Sequence, residues 1–233
     1  MRFTYYIIAY VLFCVNPLSA QSNKKYAITF RPIYGDSKLD VDSFYKFEVN
    51  DSIQIEVLKF YISGVELIDK GKVVWRERQS FHLIDISNEK TLTTLLNIPN
   101  TITFNQVKFN LGIDSVTNTS GALGGDLDPT KGMYWTWQNG YINFKLEGKS
   151  NVCKTRHNEF QLHLGGYQYP FNTLRPVVLD LIQKGKADIL IDIKQLLKTI
   201  NLSNQHHIMS PGSDAILVSE NAIKTFSIEK NEK

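Results

Sequence analysis

A period of two in the apolar residues is the feature that most restricts the folds open to this chain. In "SIQIEV", Ile53, Ile55 and Val57 alternate with Gln54 and Glu56. That spacing sends successive side chains to opposite faces of a strand. "LKFYI" follows with Leu58, Phe60 and Ile62 in the other parity, which predicts a bulge or a strand passing between sheets. "DKGK", Asp69 to Lys72, separates "FYISGVELI" from "VVWRER" and predicts a hairpin loop. Further strands are expected in "FHLIDI", "FNQVKFNLGI", "YINFKLEG", "EFQLHLGG", "PVVLDLI" and "ADILIDI". Helical pattern is sparse. "IKQLLKTI" predicts a turn or two, and "SPGSDAILVSENAIKTF" predicts a short C-terminal helix capped by Ser213, with Asp214 in its first turn. Short strands joined by polar turns define an all-β chain, read as an antiparallel β-sandwich with a short C-terminal helix.

The first twenty residues carry a different pattern. Arg2 precedes the apolar stretch "YYIIAYVLFCV", which is too short to span a bilayer, and "PLSA" supplies small residues for cleavage. Residues 1–20 are therefore expected to be a signal peptide and residues 21–233 a single mature domain, periplasmic or otherwise exported. Beyond the leader no second long apolar run occurs, so no transmembrane segment is expected in the mature chain. The net charge is only +3 over 233 residues, with lysines and acids interspersed. That balance gives no electrostatic footprint for nucleic acid. Of the two cysteines, Cys14 lies in the leader. Cys153 alone remains, and the fold must hold without an intrachain disulfide.

Four groups of residues could carry chemistry. Trp135 and Trp137 share a parity, so on a strand they would project from one face together with Met133. Such a stripe is commonly sandwich core. Intact indole is a hydrogen-bond donor only, so a metal role for either tryptophan requires its chemical modification. The loop "DSVTNTSGALGGDLDPTKG" offers Asp126 and Asp128 as oxygen ligands for calcium, although aspartate and glycine are also ordinary turn residues. Five histidines are present: His82, His157, His163, His206 and His207. His163 falls opposite the apolar parity of Phe160, Leu162 and Leu164. "HHIM" sets Met209 beside His207, and imidazole and thioether together suit copper. Cys153 and His157 in "CKTRH" fit a blue-copper segment poorly, and the segment is not C-x-x-C-H. G-x-S-x-G, H-E-x-x-H and phosphate-binding glycine loops are all missing.

"FNLGIDS", "GALGGDLDPTKGMYWTWQNGYINFKLEG", "HLGG" and "MSPG" together resemble the MbnP-like copper-binding family. The resemblance extends over most of the mature chain, from "ITFRPIYGDSKL" to "MSPGSDAILVSENAIKTF", and the W-x-W segment is its most specific part. It implies an exported β-sandwich protein without enzymatic activity of its own. It also implies a partner, a di-haem protein of the cytochrome c peroxidase/MauG type, that oxidises a tryptophan of the segment to kynurenine. Ring opening yields an arylamine and a ketone, both able to bind copper. Carried onto this chain, the resemblance gives Trp137 as the first choice for modification and Trp135, with Tyr134, as a relay of the electron hole. His82 and His163 are the first choices to complete the copper site, His207 and Met209 the second. The alternatives are a structural or ligand-binding sandwich module with the aromatics as plain core, and a sandwich whose acidic loop binds calcium at Asp126 and Asp128.

Overall fold

The computed structural model describes residues 22–182 and 185–229; the expected leader lies outside the described residues. The strands are β1 (Asn23–Tyr34), β2 (Ser37–Lys38), β3 (Phe44–Lys46), β4 (Ser52–Asp69), β5 (Lys72–Arg76), β6 (Phe81–Asp85), β7 (Thr93–Pro99), β8 (Gln106–Leu111), β9 (Tyr134–Trp135), β10 (Gly140–Ser150), β11 (Glu159–Gly165), β12 (Arg175–Asp180), β13 (Lys186–Asp192), β14 (His207–Ile208) and β15 (Phe226–Ile228). Among the described residues three short α-helices punctuate them: α1 (Ser115–Thr119), α2 (Ile193–Leu197) and α3 (Ser213–Ala222). The chain is thus all-β with a short C-terminal helix, as the sequence predicts. Asp214 does lie in the first turn of α3, but Ser213 is not its cap. Gly212 takes that position with no side-chain bond, and Ser213 is already helical.

The larger sheet is organised around β4. Phe60 on β4 is paired with Phe144 on β10 and with Ile84 on β6. Two residues on, Ile62 is paired with Leu111 on β8 and with His82 on β6. Since β6 holds one edge from Lys59 to Ser63, β10 and β8 occupy successive lengths of the other. The parity slip in "SIQIEVLKFYI" is a bulge: Val57 and Ile55 face the consecutive residues Glu147 and Gly148. A second bulge falls at Gly64, where φ is +58° and one residue is inserted against β8. The "DKGK" hairpin forms as expected, with Lys70 and Gly71 both at positive φ, the twist that a two-residue turn between right-handed strands requires.

The smaller sheet runs β15-β13-β1-β2, with β7 also on β1. Most pairings are antiparallel, but β1 with β13 and β11 with β14 are parallel. Neither β1 nor β7 is among the strands expected from the sequence. The two sheets meet through Phe30 of β1, whose ring packs edge-on against Phe60 and Phe109, both at 5.7 Å. Rings buried this way contribute roughly 2–3 kcal/mol each.

A second, smaller core lies on the opposite face of the larger sheet. Residues 112–139 fold back over that face and bury Tyr61, Leu83, Ile113, Leu127, Met133, Trp135, Tyr141 and Ile142. Phe144 and Leu146 belong to the inter-sheet core, as their alternation predicts, but Ile142 does not. The cause is a bulge between Ile142 and Phe144 in the pairing with β11, which reverses the parity at Asn143. The amide of Asn143 fills the gap, accepting from Ile113 N at 2.9 Å and donating to Thr173 Oγ1 at 2.9 Å. The W-x-W segment therefore sits on the outer face, under a folded-back loop.

Candidate functional site

Trp135 and Trp137 are close together, but not because they share a strand. Trp135 ends the two-residue β9, bridged to Gly140. Thr136 to Asn139 form the turn of this hairpin, with Asn139 at φ +49°. Trp137 is therefore a turn residue and is 65% exposed, whereas Trp135 is 5% exposed. Their ring centroids are 5.7 Å apart, inclined at 42°. The Asn139–Gly140 pair, a standard hairpin signal, marks this turn in the sequence.

The Trp135 ring lies directly on backbone. A Cβ placed on Gly165 would come within 2.5 Å of Trp135 Cζ3 and 2.8 Å of Cη2. Gly165 has the outer-face parity of β11, which it shares with Gln161 and His163. The hairpin is held down from above by Asn118, whose Oδ1 accepts from Tyr141 N at 2.8 Å while its Nδ2 donates to Ile113 O. Trp135 Nε1 is buried without a hydrogen-bond partner.

His163 is two residues along the same face, 5% exposed. Its Nε2 is hydrogen-bonded to Glu147 Oε1 of β10. The His163 bond holds the Glu147 carboxyl below its ordinary range, aided by Lys145. An ionised carboxylate only accepts, so Nε2 carries a proton, and the tautomer with its lone pair on Nδ1 is the one this bond selects in a neutral imidazole. That Nδ1 is buried and unpartnered. A carboxylate behind one nitrogen and an open lone pair on the other is the arrangement that prepares a metal-ligating histidine.

Two of the other expected ligands flank it. Gln161 pairs with His207 and Leu162 with Ile208, in parallel. Further along, a Cβ on Gly166 would meet Pro211 Cβ at 2.9 Å. The segment between, including Met209, therefore runs beside His163 and Gly165, and the register carried one residue past Ile208 brings Met209 level with His163. His207 is exposed and Met209 half-buried.

His82 is not part of this group. It pairs with Ile62, and both it and its neighbour Ile84 have the inter-sheet parity, while His163 is level with Lys145 and Lys59 on the outer face. β10 and β4 lie between the two histidines, about 14 Å at sheet spacing. The expectation that His82 and His163 share one site is corrected accordingly: opposite parity places them on opposite faces. His82 Nε2 is instead bonded to Glu77 Oε2 at 2.8 Å, which also accepts from Ser80 Oγ at 2.6 Å.

Asp126 and Asp128 are engaged by the protein. Asp126 Oδ2 accepts from Leu83 N at 3.1 Å and its Oδ1 is paired with Lys131 at 2.7 Å. Asp128 Oδ1 accepts from Thr130 N and Oγ1. Lys131 thus supplies the positive charge beside Asp126 that a calcium ion would bring. Cys153 lies at the other end of β10, and burial pushes its thiol up to about 11. Among the described residues no three His, Cys, Asp or Glu side chains cluster as a metal site of those types alone would, and no helix is long and apolar enough to cross a membrane.

The fold and this hairpin define a class: a two-sheet all-β protein that presses a tryptophan pair against the outer face of its larger sheet, beside an oriented imidazole. The chain belongs to the MbnP family, whose profile matches residues 23–210. The solved structure of MbnP from Methylosinus trichosporium shares the fold, with a TM-score of 0.64 over 84% of this chain and 88% of that one, at 14% identity. No curated protein matches the sequence.

Proposed function

We propose that the protein is an exported, non-catalytic copper-binding protein, completed when a di-haem partner oxidises a tryptophan of its W-x-W hairpin to kynurenine. The observation that carries the reading is the buried, unpartnered Nδ1 of His163, set up by Glu147 and adjoining the face on which Trp135 rests. Imidazole and thioether suit Cu(I), so His163, Met209 and His207 would hold the ion with the opened tryptophan. Bound copper would supply a soft, redox-active centre. His82 has no part in it.

For the modified residue we take Trp135 rather than Trp137. Trp135 rests on Gly165, two residues from His163 on the same face, and lines a cleft of about 220 Å³ that admits small molecules to its ring. Trp137 is the exposed ring that a partner would touch, and 5.7 Å is a short step for an electron hole between the two. Ring opening cleaves the indole C2–C3 bond and adds two oxygens; hydrolysis then releases C2 as formate. The four electrons removed from the indole would reduce two equivalents of a peroxide-class oxidant to water, chemistry that the partner's haems would supply. The residue gains, net, one oxygen and loses one carbon.

Intact mass and Cu(I) affinity, by competition with a chromophoric chelator, test this on protein made with and without the partner. The modified wild type should bind more tightly, because intact indole offers no lone pair. Trp135→Phe should abolish the gain, and Trp137→Phe should slow the modification. A gain lost only in Trp137→Phe restores Trp137 as the ligand. Equal affinities in protein shown by mass to be modified reject the copper mechanism. Amino-terminal sequencing that finds Met1 retained rejects export.

A further inference from the structure

The cleft beside Trp135 has a second character. It is lined by Trp135, Gln138, Tyr167, Gln168, Tyr169 and Phe171 over two glycines, with no charged side chain in its lining. Its floor is backbone: a Cβ on Gly140 would meet Tyr167 Cε1 at 3.2 Å, and one on Gly166 would lie 2.2 Å from Phe171 O. The floor is therefore fixed by close contacts. Around the rim stand aromatic rings that fold stability alone does not require. Tyr169 is 97% exposed, and Trp137, next to Gln138, is 65% exposed. Gln138 and Gln168 add exposed amides, each with donors and an acceptor. The buried indole N–H of Trp135 has no partner in the protein.

Flat rings give an apolar surface to C–H groups, and amides and phenols bond hydroxyls at its edge. A lining without charge selects against anions and cations alike, since a charge buried there would be left unpaired. A ligand that matches is uncharged and ring-shaped, with an apolar C–H face and a rim of hydroxyls. We propose that this cleft is a glycan-binding site that takes one sugar ring of a neutral oligosaccharide or polysaccharide, with Tyr169 as the stacking platform and Gln138 and Gln168 as hydroxyl readers. Trp135 borders both this cleft and the proposed copper site, but Tyr169, Gln138 and Gln168 take no part in the latter, and the volume fits a single pyranose.

Affinity electrophoresis in gels containing hydroxyethylcellulose, galactomannan, laminarin or xylan tests it. At least one of these neutral polysaccharides should retard the wild type, and heparin should not. Loss of one stacked ring in Tyr169→Ala should weaken binding about tenfold. Tyr169→Phe should keep most of it, and Gln168→Ala should weaken it as well. Both positions are exposed, so the variants will fold, and their unchanged Cu(I) affinity would separate this site from the copper site. No retardation by any neutral polysaccharide overturns the proposal, as does retardation that survives Tyr169→Ala and Gln168→Ala. A protein partner whose binding is lost in Tyr169→Ala, with no polysaccharide bound, assigns the rim to protein docking instead.

Discussion

Gly165→Ala puts the packing of the site to a direct test. The added methyl would stand 2.5 Å from Trp135 Cζ3, 2.8 Å from Cη2 and 2.8 Å from Tyr141 O. Carbon atoms in contact settle near 3.5–4.0 Å, so the ring must move by about 1 Å or the strands must part. Overpacking of this size costs about 1–3 kcal/mol. For a chain of this length that lowers Tm by roughly 3–10 °C. Thermal unfolding followed by circular dichroism measures the loss, and tryptophan emission should shift to the red as Trp135 is lifted towards water. Repeating the substitution in a Trp135→Val background isolates the contact. If the ring is the obstacle, the cost there should fall by at least 1 kcal/mol, the coupling usual for touching side chains. A Tm within about 1 °C of wild type would refute the packing argument. The same loss in both backgrounds would place the strain at the Tyr141 carbonyl.

Other outcomes follow from the same coordinates. Gly148→Ala should destabilise the protein by more than about 4 kcal/mol and abolish soluble expression, because its Cβ would lie 2.0 Å from the backbone oxygen of Gln54. Glu147, whose carboxyl is held low by the His163 bond, contributes stability above its ordinary value of 4.5 that is lost as pH falls through its lower folded value. The Tm difference between wild type and Glu147→Gln should therefore be full near neutral pH and vanish in strong acid. Asp126→Ala should cost about 1–3 kcal/mol by stranding Leu83 N and Lys131, to the same extent with and without millimolar calcium. A calcium-dependent rise in Tm that the variant abolishes would instead give Asp126 a cation.

How much of this was legible in the sequence depends on the range of the interaction. The bulge in β4 is written in the switch of parity between Ile55 and Leu58, and the "DKGK" turn in its own residues; both are local. β7 escaped because Leu95, 58% exposed, stands beside buried Leu96 and blurs its alternation. β1 does alternate through Tyr26, Ile28 and Phe30, but its place between β7 and β13 is fixed by partners far along the chain. The bulge at Asn143 is hidden for a related reason. Tyr141, Ile142 and Phe144 are all apolar, and with a hydrophobic layer on both faces a reversal of parity leaves no trace. The outward side of His163 could be read from its neighbours. Its carboxylate partner, Glu147, could not, since that requires the register of β10 against β11.

The placement of β1 also bears on the time course of folding. Phe30 is joined to Ile189 in a parallel ladder, so the amino-terminal strand must wait for nearly the whole chain before its second edge is filled. Closing so long a loop is entropically costly and rewards the chain only late. The larger sheet, by contrast, draws most of its strands, β3 to β6 and β8 to β11, from the middle of the chain, where neighbours in sequence are often neighbours in space. It is the natural nucleus, with β1 and β13 docking afterwards. Until they do, the inner faces of β4, β8 and β10 present an uncovered layer of phenylalanine, and the nascent protein is most exposed to aggregation in that interval.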